Sequence, residues 1–385
     1  MSPLFLLFSI LFCFVLLETN TLSFLLVILC LYVTSLCIWH FALNPSSLLS
    51  FLLLVILMIS ICFFHTQSIL LFYIMFELSL FPVTTLILLF GYQPEKMSSS
   101  VSLLTYTVVG SLPLLFFVST SPFSLRSSFS TLNCASSILV LLSFMIKSPL
   151  FYLHAWLPKA HTEAPLLGSM LLSGIMLKFG GYGILVCASL FAKVPLVYLF
   201  ITLIGSIACC MICLRSWDLK SLVAYSSIVH MGLVTLGALS QSDLGFGIAA
   251  GMIVRHTLVS PLLFSLAFDF YCTSHSRCFI FGFTSSVSRS FLFFFCFWSG
   301  INFGIPPSLS FWVEVRLFCL FSSFFLCGVG FLFLSSYFCF AYCIVFCTSR
   351  IGGFASSSPS FVYSAWVHLP ALTYVLLLPV TSSFF

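Results

Sequence analysis

The sequence predicts an all-α membrane protein, a polytopic bundle of about 13 transmembrane helices, and three observations carry that expectation. Only 5% of the 385 residues are Asp, Glu, Lys or Arg and 61% are apolar, whereas soluble domains carry roughly a quarter charged residues. Apolar stretches of spanning length follow one another with only short polar or Pro/Gly punctuation between them. Each crossing of a ~30 Å hydrocarbon core takes roughly 20 residues. The spans therefore consume the chain, and no folded aqueous domain fits beside them.

The spans are expected in order at about 4–17, 21–42, 49–64, 68–91, 100–119, 134–157, 164–190, 194–214, 220–240 and 244–270. A long stretch at 280–327 follows, then 329–348 and 364–382. All are helical by necessity, because hydrocarbon offers backbone groups no partner outside their own segment. Two stretches carry interruptions, Lys147-Ser148-Pro149 and Gly304-Ile305-Pro306-Pro307. Missing N–H groups and ring clashes break the helical ladder there. A broken helix at membrane depth either lines a polar cavity or is a packing kink.

The net charge of +5 comes from 13 dispersed basic residues, which form no nucleic-acid patch and are read as topology. Alternating the loops puts Lys96, Lys159, Arg215, Lys220, Arg277 and Arg350 on one side and Arg126 and Lys193 on the other. The first side is expected to be the inner one, with the N-terminus on it and the C-terminus opposite. The 17 cysteines sit in apolar runs such as IACCMICL, where a thiol acts as a small hydrophobe. Cys210-x-x-Cys213 is accordingly read as a chance spacing, and the 49 phenylalanines, which keep no periodic position, as compositional bias. No Arg-rich transit segment precedes the first span, so the chain is expected to insert as it is made.

The informative residues are charges inside spans. Glu77 lies about nine residues into its helix, a rise of roughly 14 Å, and Lys147 and Lys178 fall at similar depth in theirs. Such a side chain costs at least ~2.5–3.5 kcal/mol. Burial favours the neutral form of either group and a nearby opposite charge favours the charged form, so mutually sensitive groups can pass protons. Glu77 with Lys147 also reads as a static ion pair, and Lys178 as a snorkelling cation. Glu314, seven residues past Pro307, lies mid-bundle or caps a helix end. His230 and His256 are proton relays or hydrogen-bonded packing groups, and no metal-ligand spacing surrounds them. Together Glu77, Lys147, Lys178, His230, His256 and Glu314 describe a polar axis in the membrane plane. Few Asn or Gln lie inside the spans, which disfavours a sugar or amino-acid site and leaves protons as the smallest assumption.

Four stretches carry a resemblance: FELSLFPVTTLILLFGYQPEK, LLTYTVVGSLPLLF, KSPLFYLHAWLPKAHTEAPLLGSMLLSGIMLKFGGYGIL and RSWDLKSLVAYSSIVHMGLV. Over about residues 70–320 the chain resembles the subunit 4 family of mitochondrial NADH:ubiquinone oxidoreductase, respiratory complex I. The resemblance implies antiporter-like inverted repeats with two discontinuous helices, in a proton-translocating membrane-arm subunit of the mitochondrial inner membrane. It implies a shortened N-terminal helical segment at 1–67, a translocating core at 68–328 and C-terminal helices at 329–385. By the same resemblance Glu77 and Lys147 are a modulating pair, Lys178 is the central carrier and Glu314 passes the proton on. His230 and His256 fit the family's membrane histidines.

NADH, FMN, iron–sulfur clusters and ubiquinone are expected in other subunits. This chain carries no dinucleotide fingerprint or cluster-binding cysteine set, and no metal site is expected in it. Neighbouring antiporter-like subunits and phospholipid are the expected partners. Arg255 and Arg316 depart from the family, which usually has small or apolar residues there, and an added Arg is expected to weaken the proton affinity of His256 and Glu314. Two other classes stay open at this point. One is a subunit of a sodium/proton antiporter complex, and the other a structural subunit whose pump has decayed.

Overall fold

The computed structural model describes residues 22–41, 46–120, 134–187, 197–278, 287–306, 308–324, 326–348 and 354–355. The expected spans at 4–17 and 364–382, and Arg126, Lys193 and Arg350, lie outside the described residues. The first helices are α1 (Leu22–Phe41), α2 (Ser47–His65), α3 (Ile69–Leu78), α4 (Leu80–Phe90) and α5 (Lys96–Thr120). Then come α6 (Cys134–Lys147), α7 (Trp156–Glu163), α8 (Leu166–Leu171), a π-helical turn at Leu172–Met176, and α9 (Leu177–Val186). The rest are α10 (Val197–Arg215), α11 (Leu219–Leu239), α12 (Asp243–Ser274), α13 (Arg289–Phe303), α14 (Leu309–Phe324) and α15 (Leu326–Thr348). A two-residue parallel pairing joins Val287–Ser288 to Phe354–Ala355. Among the described residues, eight helical stretches are long and apolar enough to cross a membrane, and three shorter apolar helices accompany them.

Burial divides these helices into an interior and a rim. The spans Leu166–Val186, Leu219–Leu239 and Asp243–Cys272 are each 89% buried, against 33% for Ser47–His65 and 39% for Lys96–Ser119. On the rim, Phe51, Met58 and Phe116 stand exposed, as side chains do when the surrounding solvent is lipid. Inside, α11 packs along α10 and α12, while α12 also meets α8, the π turn, α13 and α14. At the edges α1 packs on α2 and α12, and α15 on α10 and α13.

Both expected breaks are present. The α6 helix ends at Lys147, and the chain runs unwound to Ala155, with Tyr152 at φ 74°. Pro149 has no N–H to continue the ladder; Leu150 N instead donates to Met145 O at 3.2 Å, and Trp156 Nε1 closes Ile146 O at 3.1 Å. The second break opens after Phe303, where Gly304 adopts φ 96°, a conformation open chiefly to glycine. Two irregularities had no expectation attached to them. The turn at Ser79 separates α3 from α4, and the π turn precedes Lys178.

One end of the bundle gathers the basic loops. Lys220 Nζ donates to Ala164 O at 3.0 Å, Arg277 Nη1 to Thr162 O at 3.1 Å and Lys96 Nζ to Gly91 O at 3.2 Å. Leu219 N donates to Arg277 O at 3.3 Å. Lys96, Lys220 and Arg277 thus share an end, as the loop count expects, and two of these cations satisfy carbonyls at the C-terminus of α7 where a positive charge is favoured. At this corner burial pushes the Glu163 carboxyl above the usual carboxylate range, against the pull of Arg277.

Close backbone approach holds the first break in place. A Cβ at Gly180 would stand 2.5 Å from Ser148 N and 3.0 Å from the Lys147 carbonyl carbon. Gly180→Ala is therefore expected to lower stability by about 1–3 kcal/mol, read as earlier thermal unfolding of the detergent-extracted protein. Gly232→Ala, whose added carbon meets nothing nearer than 3.9 Å, is the tolerated control. Equal stability of the two variants would contradict this packing.

Candidate functional site

Lys178 is the second residue of α9, 1% exposed, in the middle of the most buried spans. Its ammonium donates to Ser173 O, five residues back. That carbonyl lies within the π turn, where backbone bonds run to the N–H five residues on, as Leu177 N does to Leu172 O. Such turns concentrate at functional positions. The second partner is Nδ1 of His256, 2.8 Å away on α12. Lysine and imidazole can share a short bond only with one proton between them, held by the ammonium or by the ring. The pair therefore has the geometry of a proton-transfer contact.

A line of polar groups continues from His256. The His230 ring, on α11, lies 6.0 Å from it between centroids. Arg255, one residue before His256, projects from a different side of α12 and is fully buried. Its Nη2 stands 2.9 and 2.8 Å from the His230 ring nitrogens and donates to Asn302 O at 2.7 Å. Its Nη1 makes an ion pair with Glu314 Oε1 at 3.1 Å. The second break supplies this end of the line. Asn302 is in the last turn of α13, and Gly304 lies so near Glu314 that a Cβ there would be 3.2 Å from Oε2. A cavity of about 20 Å³ lined by His230, Glu314, Ser335 and Cys339 has room for about one water-sized molecule.

Lys147 and Glu77 form a separate cluster. The Lys147 ammonium, at the end of α6, donates to Phe76 O and lies 3.3 Å from Ser79 Oγ. It also sits 3.4 Å from the Phe76 ring centroid and 5.5 Å from that of Phe179. The Phe76 carbonyl lies at the turn between α3 and α4, where it also accepts from Ser79 Oγ at 2.7 Å. Glu77 and Lys147 are consequently not in direct ion-pair contact, and Glu77 Oε1 has no hydrogen-bond partner. A carbonyl, a hydroxyl and an aromatic face take the place of the carboxylate around the ammonium.

The structure thus joins Lys178, His256, His230 and Glu314 and sets Lys147 and Glu77 apart, with Phe179 between. Arg255, read in the sequence as a cation added beside His256, also makes the contacts that link His230 to Glu314. Nothing in the sequence pointed from Arg255 to Glu314, 59 positions away. Asn302 and Ser173 were equally hidden, since they contribute backbone carbonyls. Among the described residues, no group of three or more His, Cys, Asp or Glu is arranged to hold a metal ion.

A membrane bundle with two broken helices and a buried lysine–histidine line defines a class, the antiporter-like ion-translocating membrane subunits. Residues 66–340 match the family described as NADH:quinone oxidoreductase/Mrp antiporter, TM. Chain 4 of NADH-ubiquinone oxidoreductase from Artemia franciscana is 42% identical over 267 residues, covering 66% of this chain and 68% of that one. The corresponding chain of Lumbricus terrestris is 37% identical over 338 residues, 82% and 74% of the two.

Among solved structures, respiratory complex I from Thermus thermophilus contains a chain similar in fold, with TM-score 0.79, 22% identity and coverage of 94% and 80%. The Mrp complex from Dietzia sp. contains another, with TM-score 0.79, 20% identity and coverage of 93% and 42%. The chain belongs to the NADH:quinone oxidoreductase/Mrp antiporter transmembrane family.

Removing one partner of a buried ion pair typically costs 3–5 kcal/mol, because the other charge is left uncompensated. Arg255→Met is expected to destabilise the protein on that scale, and adding Glu314→Gln to recover most of the loss. Thermal unfolding of the two single variants and the double variant measures this. Strictly additive losses would mean that the two groups are not coupled.

Proposed function

We propose that this chain is a proton-translocating membrane-arm subunit of respiratory complex I, the counterpart of the chain 4 relatives, working in the mitochondrial inner membrane. The observation that carries the reading is the buried Lys178–His256 contact continued through His230 and Arg255 to Glu314. In this reading a proton arrives on Lys178, crosses the short bond to His256, and reaches Glu314 by way of His230. Glu77 and Lys147 sense charge in the neighbouring module and bias the occupancy of Lys178 through the field rather than by contact. Electrostatics at this depth are weakly screened, so a change of one charge nearby is felt.

The enzyme activity is that of the assembly, an H⁺-translocating NADH:ubiquinone reductase. NADH, FMN, iron–sulfur clusters and ubiquinone are held by other subunits, and this chain performs no redox step. Neighbouring membrane-arm subunits are its partners. Phospholipid covers rim residues such as Phe51 and Phe116, whose exposed aromatic faces suit acyl chains.

A second reading has one observation in its favour. The Arg255–Glu314 ion pair gives Glu314 a resident cation, as in a module kept for structure after its pump has decayed. Replacing Lys178 with Met separates the two. In the assembled complex, protons moved per NADH are expected to fall by this module's share while NADH oxidation with an artificial acceptor persists, and transport is expected to be independent of sodium. An unchanged ratio with intact assembly would favour the structural reading.

A further inference from the structure

The cysteine spacing read as chance in the sequence acquires a partner in the fold. Cys210, on α10, faces not Cys213 but Cys339 of α15, with 3.4 Å between the sulfurs. The two residues are 129 positions apart. Cys213 and Cys343 are buried nearby, but their thiols turn to other helices, Cys213 Sγ to Leu222 O at 3.8 Å and Cys343 Sγ to Ser299 O at 3.6 Å.

We propose that Cys210 and Cys339 form an oxidisable dithiol, a modification site at which a hydroperoxide links α10 to α15. Two features single this pair out from the other cysteines. First, the sulfurs are already close; a disulfide needs them at about 2.05 Å, a closure of little more than an ångström. Second, Cys339 lines the cavity beside Glu314 and His230, so one of the two thiols is open to a small reagent. Buried thiols are ordinarily inert, and reactive ones are reached by a reagent; Cys339 lines the cavity and Cys210 does not.

The cavity is about 20 Å³ in volume, against the roughly 10–15 Å³ that holds one water. Hydrogen peroxide, the smallest hydroperoxide, is therefore the oxidant to test at so small a space. In the first step the Cys339 sulfur attacks one peroxide oxygen and the O–O bond breaks. Water leaves with the thiol proton, and sulfur is oxidised to the sulfenic acid. In the second step the Cys210 sulfur attacks that sulfenic sulfur, the S–S bond forms, and a second water leaves with the Cys210 proton and the sulfenic oxygen. Two thiols are oxidised and one peroxide is reduced to two waters, with no other reactant. The link ties α15 to the core one helix away from Glu314. It does not depend on the proton-pumping reading, because it rests on the thiols and the cavity alone.

The test uses the assembled complex in isolated membranes. Hydrogen peroxide treatment is followed by maleimide blocking, digestion and mass spectrometry. The expected result is a peptide cross-linked between Cys210 and Cys339, with loss of both maleimide adducts, and recovery of both after dithiothreitol. In a Cys210→Ser variant, dimedone should trap the sulfenic acid on Cys339 and the cross-link should vanish. Oxidation of other cysteines of the chain with both of these still maleimide-labelled would overturn the proposal. So would a Cys210–Cys213 link in place of the inter-helix one.

Discussion

Removing the Lys178 ammonium from water in the middle of the bundle is the constraint on which the rest of the structure turns. A cation at that depth persists only with donors matched to acceptors at hydrogen-bond distance. Ser173 O and His256 Nδ1 provide them. Each requirement propagates outward. The carbonyl belongs to the π turn, and the imidazole calls for α12 against the π turn and α8. Arg255, the neighbour of His256, then reaches α11, α13 and α14. One unfavourable burial thereby sets how these segments meet.

The broken helices follow the same logic. Each interruption releases backbone groups that a continuous helix would consume, and each is answered locally. Trp156 closes the Ile146 carbonyl at the first break, and Ser310 Oγ closes Ile301 O at 2.6 Å at the second. Arg255 takes Asn302 O just before Gly304. The breaks therefore present polar atoms to buried charges without leaving the backbone unsatisfied in hydrocarbon. Gly180 and Gly304 are needed because backbone and carboxylate come within a methyl group's width of them.

Much of this was legible from composition and spacing. With so few charges, each one inside a span had to be explained, which brought Glu77, Lys147, Lys178 and Glu314 forward before any fold was known. Pro149 and Gly304 marked the breaks because their backbone chemistry is local. The basic loops, Lys96, Lys220 and Arg277, fell at one end as alternate loops must. Arg255 was visible as an oddity but not as a link, and Cys210 was visible only beside Cys213.

The sequence by itself determined the class of solvent, the helical state of nearly every segment, the sites of interruption and the depth of the ionisable groups. Hydrophobic length, missing N–H groups and rise per residue are properties of a chain segment, and they need no partner. Only the tertiary structure decided which groups meet. Lys147 reaches a carbonyl rather than Glu77, Arg255 reaches Glu314 across 59 residues, and Cys210 reaches Cys339. Rotation of each helix about its axis governs those contacts. That rotation is set by packing against neighbours, because in an apolar medium nearly every face of these helices is equally apolar and sequence periodicity carries little signal.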